Sequence, residues 1–236
     1  MRVLVLSPHY DDAPLSLGQS MLDGALSEHR VTVGVVFSRS NWTIWFHPTR
    51  RRWPLATAIR WAEELRNARR FGYRTRLGGL EETVLRTGVI APESFLNPDF
   101  DAAQSPALDQ VVAMLKRWSA DHDVVIAPLG IGDHVDHQLV TEAARRLMDG
   151  GPTIAFYEDR PYAVASDETA LAAAAAKVDD RLQRRPISGP MSSAKHNRIW
   201  YPSQFDDYFL TAIDIDETEQ RREHVWVLPE APWPTR

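Results

Sequence analysis

Four short apolar runs punctuate this chain: Val3-Leu4-Val5-Leu6, Val31 to Phe37, Val124 to Ala127 and Thr153 to Tyr157. Their length and branched side chains predict buried strands. Between them lie stretches with helical spacing of apolar positions, from about Pro14 to Ser27, Ala56 to Phe71, Leu108 to Trp118 and Gln138 to Met148. Pro14 falls near a first turn, where its missing N–H costs nothing, Gly72 stops the second helix and Gly150-Gly151 closes the fourth. An alanine-rich helix is expected from Ala170 to Ala176. Strand, helix, strand with nearly continuous apolar strands predicts right-handed βαβ units in a mostly parallel sheet flanked by helices. The fold class is therefore α/β. No repeat or boundary divides the chain, so one domain is expected over 1–236. Residues 78–106 carry no lasting period, and Arg184 to Ser193 reads as a mobile segment.

The polar residues gather where the strands end. Ser7 to Gly18 reads SPHYDDAPLSLG, placing His9, Tyr10, Asp11 and Asp12 on the loop after the first strand. After the strand at 124–127 comes Gly132-Asp133-His134-Val135-Asp136-His137. In open α/β sheets the carboxyl edge of the strands is the ligand edge, so both loops can face one another across a switch point. They offer His9, Asp11, Asp12, His134, Asp136 and His137 to a metal. Two imidazoles, one carboxylate and an open position make a usual catalytic zinc set. A carboxylate left over in the same loop suits a general base. Either loop alone is ordinary: Asp12 can cap the first helix, and Asp133 or Asp136 the later one. The recurrence after two buried strands favours the metal. A dinucleotide site is disfavoured, because Ser7 to Pro14 contains no glycine.

Composition narrows the choice. With no cysteine, a metal must use His, Asp or Glu. A net charge of −5 argues against a nucleic-acid partner. No apolar run reaches membrane-spanning length, and Met1-Arg2-Val3 enters a strand without a signal-peptide pattern, so a cytoplasmic protein is expected. The long stretch Ser38 to Leu55 carries Arg39, Asn41, Trp42, Trp45, Trp53 and Arg50-Arg51-Arg52. Long loops at such an edge are usually functional. Arg39, Asn41 and Arg60 are candidates to hold hydroxyl or phosphate groups of a substrate, although Arg60 can equally pair with Glu63 or Glu64 on its own helix. Trp42, Trp45 and Trp53 can wall a sugar or an apolar aglycone, pack the loop, or contact a second copy in a homo-oligomer. Asp159 and Tyr162 follow a strand toward the same cleft, a structural turn being the more ordinary account.

Ser7-Pro8-His9-Tyr10-Asp11-Asp12-Ala13 resembles the AHPDDE signature of the PIG-L/LmbE-like deacetylases, and His134-Val135-Asp136-His137 their HPDH signature. The Arg60 to Gly72 helix, Tyr157-Glu158-Asp159 with Pro161-Tyr162, Lys195, and Tyr201-Pro202-Ser203-Gln204 resemble further family segments. The resemblance implies a Rossmann-like zinc-dependent hydrolase that removes an N-acetyl group from a small N-acylated amino sugar. It implies His9, Asp12 and His137 as zinc ligands and Asp11 as the general base for a metal water attacking the amide carbonyl; a donor set of two histidines and one carboxylate also suits Fe2+. It also implies His134 as a cation stabilising the oxyanion, with Asp136 behind it. Two departures stand out. Ala13 replaces a glutamate, and Tyr10 replaces a proline with a ring expected to narrow the mouth of the site. An amidase for another acyl conjugate and an inactive sugar-binding relative are the alternatives.

Overall fold

Along the first apolar run, Val3 and Val5 enter one core while Leu4 and Leu6 enter another on the opposite face. This double burial is what a parallel strand covered by helices on both sides requires. The computed structural model describes residues 1–231; the last residues of the expected domain, 232–236, lie outside the described residues. Its strands are β1 (Arg2–Ser7), β2 (Arg30–Val35), β3 (Arg74–Leu77), β4 (Val124–Pro128), β5 (Thr153–Tyr157), β6 (Gln183–Pro186) and β7 (His224–Val227). They form one sheet in the order β3-β2-β1-β4-β5-β7-β6. The strands from β3 to β5 are parallel, and β7 and β6 add an antiparallel edge.

The helices are α1 (Asp12–Asp23), α2 (Trp53–Phe71), α3 (Thr83–Thr87), α4 (Pro92–Phe95), α5 (Leu108–Ser119), α6 (Val135–Arg145), α7 (Glu168–Val178), α8 (Ser193–His196) and α9 (Asp207–Thr218). Gly72 ends α2 in the left-handed conformation expected of a glycine stop. None of the described helices is long and apolar enough to cross a membrane.

The differences from expectation lie at the sheet edges. Strands β3 (RTRL) and β6 (QRRP) are largely polar and flank the sheet. An edge strand buries little and is commonly charged or proline-bearing, so it leaves no apolar run to read. Part of the segment expected to be mobile, Arg184 to Pro186, is thus paired strand on β7. Residues 78–106 contain α3 and α4, each too short to develop a helical period.

Candidate metal centre

Strand β1 is hydrogen-bonded to β2 on one side and β4 on the other, which makes the gap between β1 and β4 the switch point of the sheet. The loops leaving β1 and β4 therefore open side by side. The first is pulled tight by Ser7, whose hydroxyl donates to the His9 carbonyl and accepts from the Ala13 amide. Asp12 begins α1 and accepts the His9 amide at 2.7 Å. In the second, Gly132 has φ +86°, and a Cβ there would lie 2.2 Å from the Tyr162 ring.

The carboxylate of Asp12 sits between two imidazoles. Its Oδ2 is 3.4 Å from His9 Nδ1 and 3.4 Å from His137 Nε2. Four ligands at roughly 2.0–2.1 Å around a tetrahedral ion stand about 3.3–3.4 Å apart. Both separations from Asp12 match that spacing, so the chemistry and placement of these donors suit a zinc-sized cation. Each imidazole is backed by a further carboxylate on its other nitrogen. His137 Nδ1 lies 2.7 Å from Asp159 Oδ1, and His9 Nε2 lies 3.2 Å from Asp136 Oδ2. Burial lowers both imidazoliums, but the carboxylates outweigh it. His9 is held up to about 9 by Asp12 and Asp136, and His137 up to about 10 by Asp12 and Asp159. Burial would raise Asp12, yet the same two imidazoles keep it well below the usual range.

His134 also approaches, and the nitrogens of His9, His134 and His137 all lie within 4.8 Å of one another. Its Nδ1 accepts the Asp136 amide at 3.2 Å, which caps α6. An amide only donates, so the neutral ring carries its proton on Nε2 and has no free lone pair for a metal. Two expectations are corrected here. Asp136 does not stand behind His134: its carboxylate binds His9, Thr83 and Arg86. Nor is His134 poised as a cation, because burial and the neighbouring His9 and His137 hold it well below its ordinary value.

Asp11 is buried beside the cluster with Arg60 Nη2 at 3.3 Å from its Oδ1. Burial raises its carboxyl, Arg60 pulls it down and Asp12 pushes it up, with a net rise. Arg60 does not pair with Glu63 or Glu64. Its guanidinium turns inward to Asp11, Glu82 and Ser40. Glu63 instead accepts from Ser203 and Glu64 from Tyr201 and Thr75. Ala13 lies in the core, and the second carboxylate at Arg60 comes from Glu82. Tyr10 is likewise interior. Its hydroxyl donates to the Ser38 carbonyl and its ring packs near Arg60, so it does not narrow the mouth.

Above these groups lies a cleft of about 200 Å³ walled by Trp42, Ile44, Phe95, Tyr162 and Phe209, with Arg60, Gln204 and Asp206 also lining it. Of the four expected substrate contacts, Trp42 and Arg60 line the cleft; Arg39 and Asn41 do not. Arg39 lies over the Trp53 ring, and Asn41 is buried with its amide on Glu82. Trp45 is 56% exposed and outside the cleft. Sequence reasoning missed Glu82, Thr83, Arg86 and Phe95, because all fall in the stretch without a period. It also treated Asp159 chiefly as a turn. That carboxylate accepts the amides of Leu129, Gly130 and Ile131 while holding His137.

No protein-family model matches the chain. Among solved structures, the zinc-inhibited form of teicoplanin deacetylase superposes with a TM-score of 0.67 at 20% identity, covering 96% of this chain and 97% of that one. The A40926 pseudoaglycone deacetylase gives 0.59 at 20% identity over 96% of each chain. At this identity these likenesses speak for the fold. In sequence, the 2'-N-acetylparomamine deacetylase of Streptomyces fradiae is 34% identical over 215 residues, 87% of this chain and 74% of that protein. With a metal-fitting cluster at the switch point and likeness of that extent, the chain belongs to the family of the Streptomyces fradiae deacetylase.

Proposed function

We propose that this protein is a metal-dependent N-deacetylase of the PIG-L/LmbE type, hydrolysing the acetamide of an N-acetylated amino sugar or glycosylated small molecule. The observation that carries the reading is the placement of Asp12 midway between His9 and His137, with Asp11 buried alongside. His9, Asp12 and His137 would hold the ion, zinc in the first instance and Fe2+ as the alternative for the same donor set. Bound there, it supplies a Lewis acid and makes water acidic enough to act as a nucleophile near neutral pH.

The chain's own residues account for the remaining demands. Asp11, raised by burial, takes the proton from the attacking water and returns it to the departing amine. Arg60 keeps that carboxylate in place. His134 donates from Nε2 to the oxygen of the former carbonyl as charge develops, in the manner of an oxyanion hole built from a neutral donor. Trp42, Phe95 and Phe209 wall the cleft. The relative's substrate, an N-acetylated paromamine, supports an amino sugar as the substrate class.

A second reading has its own observation. The aromatic walls would also suit an acyl group longer than acetyl, making the protein an amidase for another conjugate. Acid release from metal-loaded protein over a panel of N-acetyl and N-acyl amino sugars, 2'-N-acetylparomamine included, tests both. Acetate release abolished by a chelator is the expected result. Cleavage of long acyl conjugates alone would favour the second reading, and no cleavage of any member by zinc- or iron-loaded protein would contradict both.

A further inference from the structure

Asp136 is completely enclosed, and each of its oxygens is engaged. Oδ1 accepts from Thr83 Oγ1 and from Arg86 Nη2, both at 2.7 Å. Oδ2 accepts the Thr83 amide at 2.8 Å and faces His9 Nε2 at 3.2 Å. Arg86 is itself fixed. Nη1 donates to the Glu81 carbonyl at 2.7 Å, Nη2 also reaches Thr83 Oγ1 at 2.7 Å, and the guanidinium lies 5.2 Å from the Phe37 ring centroid. A carboxylate gripped by this many donors has little freedom to turn. Its one remaining contact is with the imidazole whose other nitrogen faces Asp12.

We infer that Thr83 and Arg86 are positioning residues for the cation held at His9, acting through Asp136. By immobilising Asp136 they keep the His9 proton on Nε2 and leave the Nδ1 lone pair directed at the ion. A carboxylate on the far nitrogen of a metal-binding histidine fixes its tautomer and raises its basicity as a ligand. Arg86 has a second task. It supplies the positive charge without which Asp136 would be an uncompensated buried anion. The inference rests on the metal reading of His9, Asp12 and His137, and it assigns to α3 a part in metal binding through contacts to Asp136 alone.

The test is zinc affinity of the purified full chain, measured with Zn2+ alone against a competing chromophoric chelator. Arg86→Ala should weaken binding by about 10- to 100-fold, the usual cost of losing such an outer partner. Arg86→Lys, which restores charge and a donor, should recover most of the loss. Thr83→Ala should weaken binding less, because the backbone amide of residue 83 still serves Asp136. Thr87→Ala removes a hydroxyl bond to the Thr83 carbonyl and another from the Val89 amide, neither of which touches Asp136, and should bind like wild type. In the loaded protein, nitrogen NMR should find the His9 proton on Nε2. If Arg86→Ala does not fold, Arg86→Gln makes the same comparison. Wild-type affinity in Arg86→Ala or Arg86→Gln would overturn the inference while leaving the metal reading intact. An equal loss in Thr87→Ala would overturn it too, by tracing the effect to helix stability. Wild-type protein that takes up no zinc would sink the metal reading and this inference together.

Discussion

His137 and His9 turn toward one point from adjacent loops, and each has a carboxylate behind it, but the two carboxylates are held by different means. Asp159 accepts three successive backbone amides, at residues 129–131, where the chain leaves β4. Asp136 depends on a hydroxyl, a guanidinium and one amide from α3. Amides of a loop leaving a central strand are present whatever the side chains are, so the His137 side is secured by the fold. The His9 side is secured by particular side chains from a five-residue helix. One half of the centre is therefore built into the sheet, and the other half can be tuned or lost by single substitutions.

The largest effects remove the distinction altogether. Either His9→Ala or His137→Ala should abolish stoichiometric zinc, as read by metal analysis of the purified variant. Asp11→Asn should keep zinc and lower turnover by about 10²- to 10⁴-fold, the range for a general base; full activity would place the base elsewhere.

The next pair separates the two halves directly. Asp159→Ala leaves the Gly130 and Ile131 amides without their acceptor, the Leu129 amide keeping the Tyr157 carbonyl, at about 1–3 kcal/mol for each that stays unpaired. Denaturant unfolding should show it losing more stability than Thr83→Ala, for which about 1.5–3 kcal/mol is expected for a bond to a charged group. Equal losses would mean that the backbone support gives Asp159 no advantage.

A smaller effect belongs to the scaffold. Burial pushes the Glu64 carboxyl up to about 7, against bonds from Tyr201 and Thr75 that oppose it. A carboxyl raised on folding favours the folded state while protonated, and that contribution is lost as pH climbs from about 4.5 through about 7. Glu64→Gln should flatten the decline in stability over that window. The smallest effect is at Arg39→Ala, which should leave KM near the wild-type value, whereas Trp42→Ala at the cleft wall should raise it.

The sequence disclosed the halves of this centre unequally, for the same physical reason. Strand ends are legible where an apolar run stops, so the loops carrying His9 and His137 can be read from the sequence. The parallel core followed from runs such as Val124 to Ala127, buried on both faces. What stands behind each imidazole is a tertiary matter. The partner of Asp136 comes from α3, too short to announce itself. Arg60 has carboxylates three and four residues ahead, which predicts pairing along the helix. Ser203 and Tyr201 occupy those acids instead, leaving Arg60 for Asp11 and Glu82. The polar edge strands β3 and β6 were invisible because they bury too little to need a pattern.

X-ray absorption at the zinc edge of the loaded protein is the most direct test of the centre. Two imidazoles and one carboxylate around the ion, unchanged in His134→Ala, is the predicted result. Three imidazoles with no carboxylate, or loss of the ion in His134→Ala, would contradict the assignment of His9, Asp12 and His137.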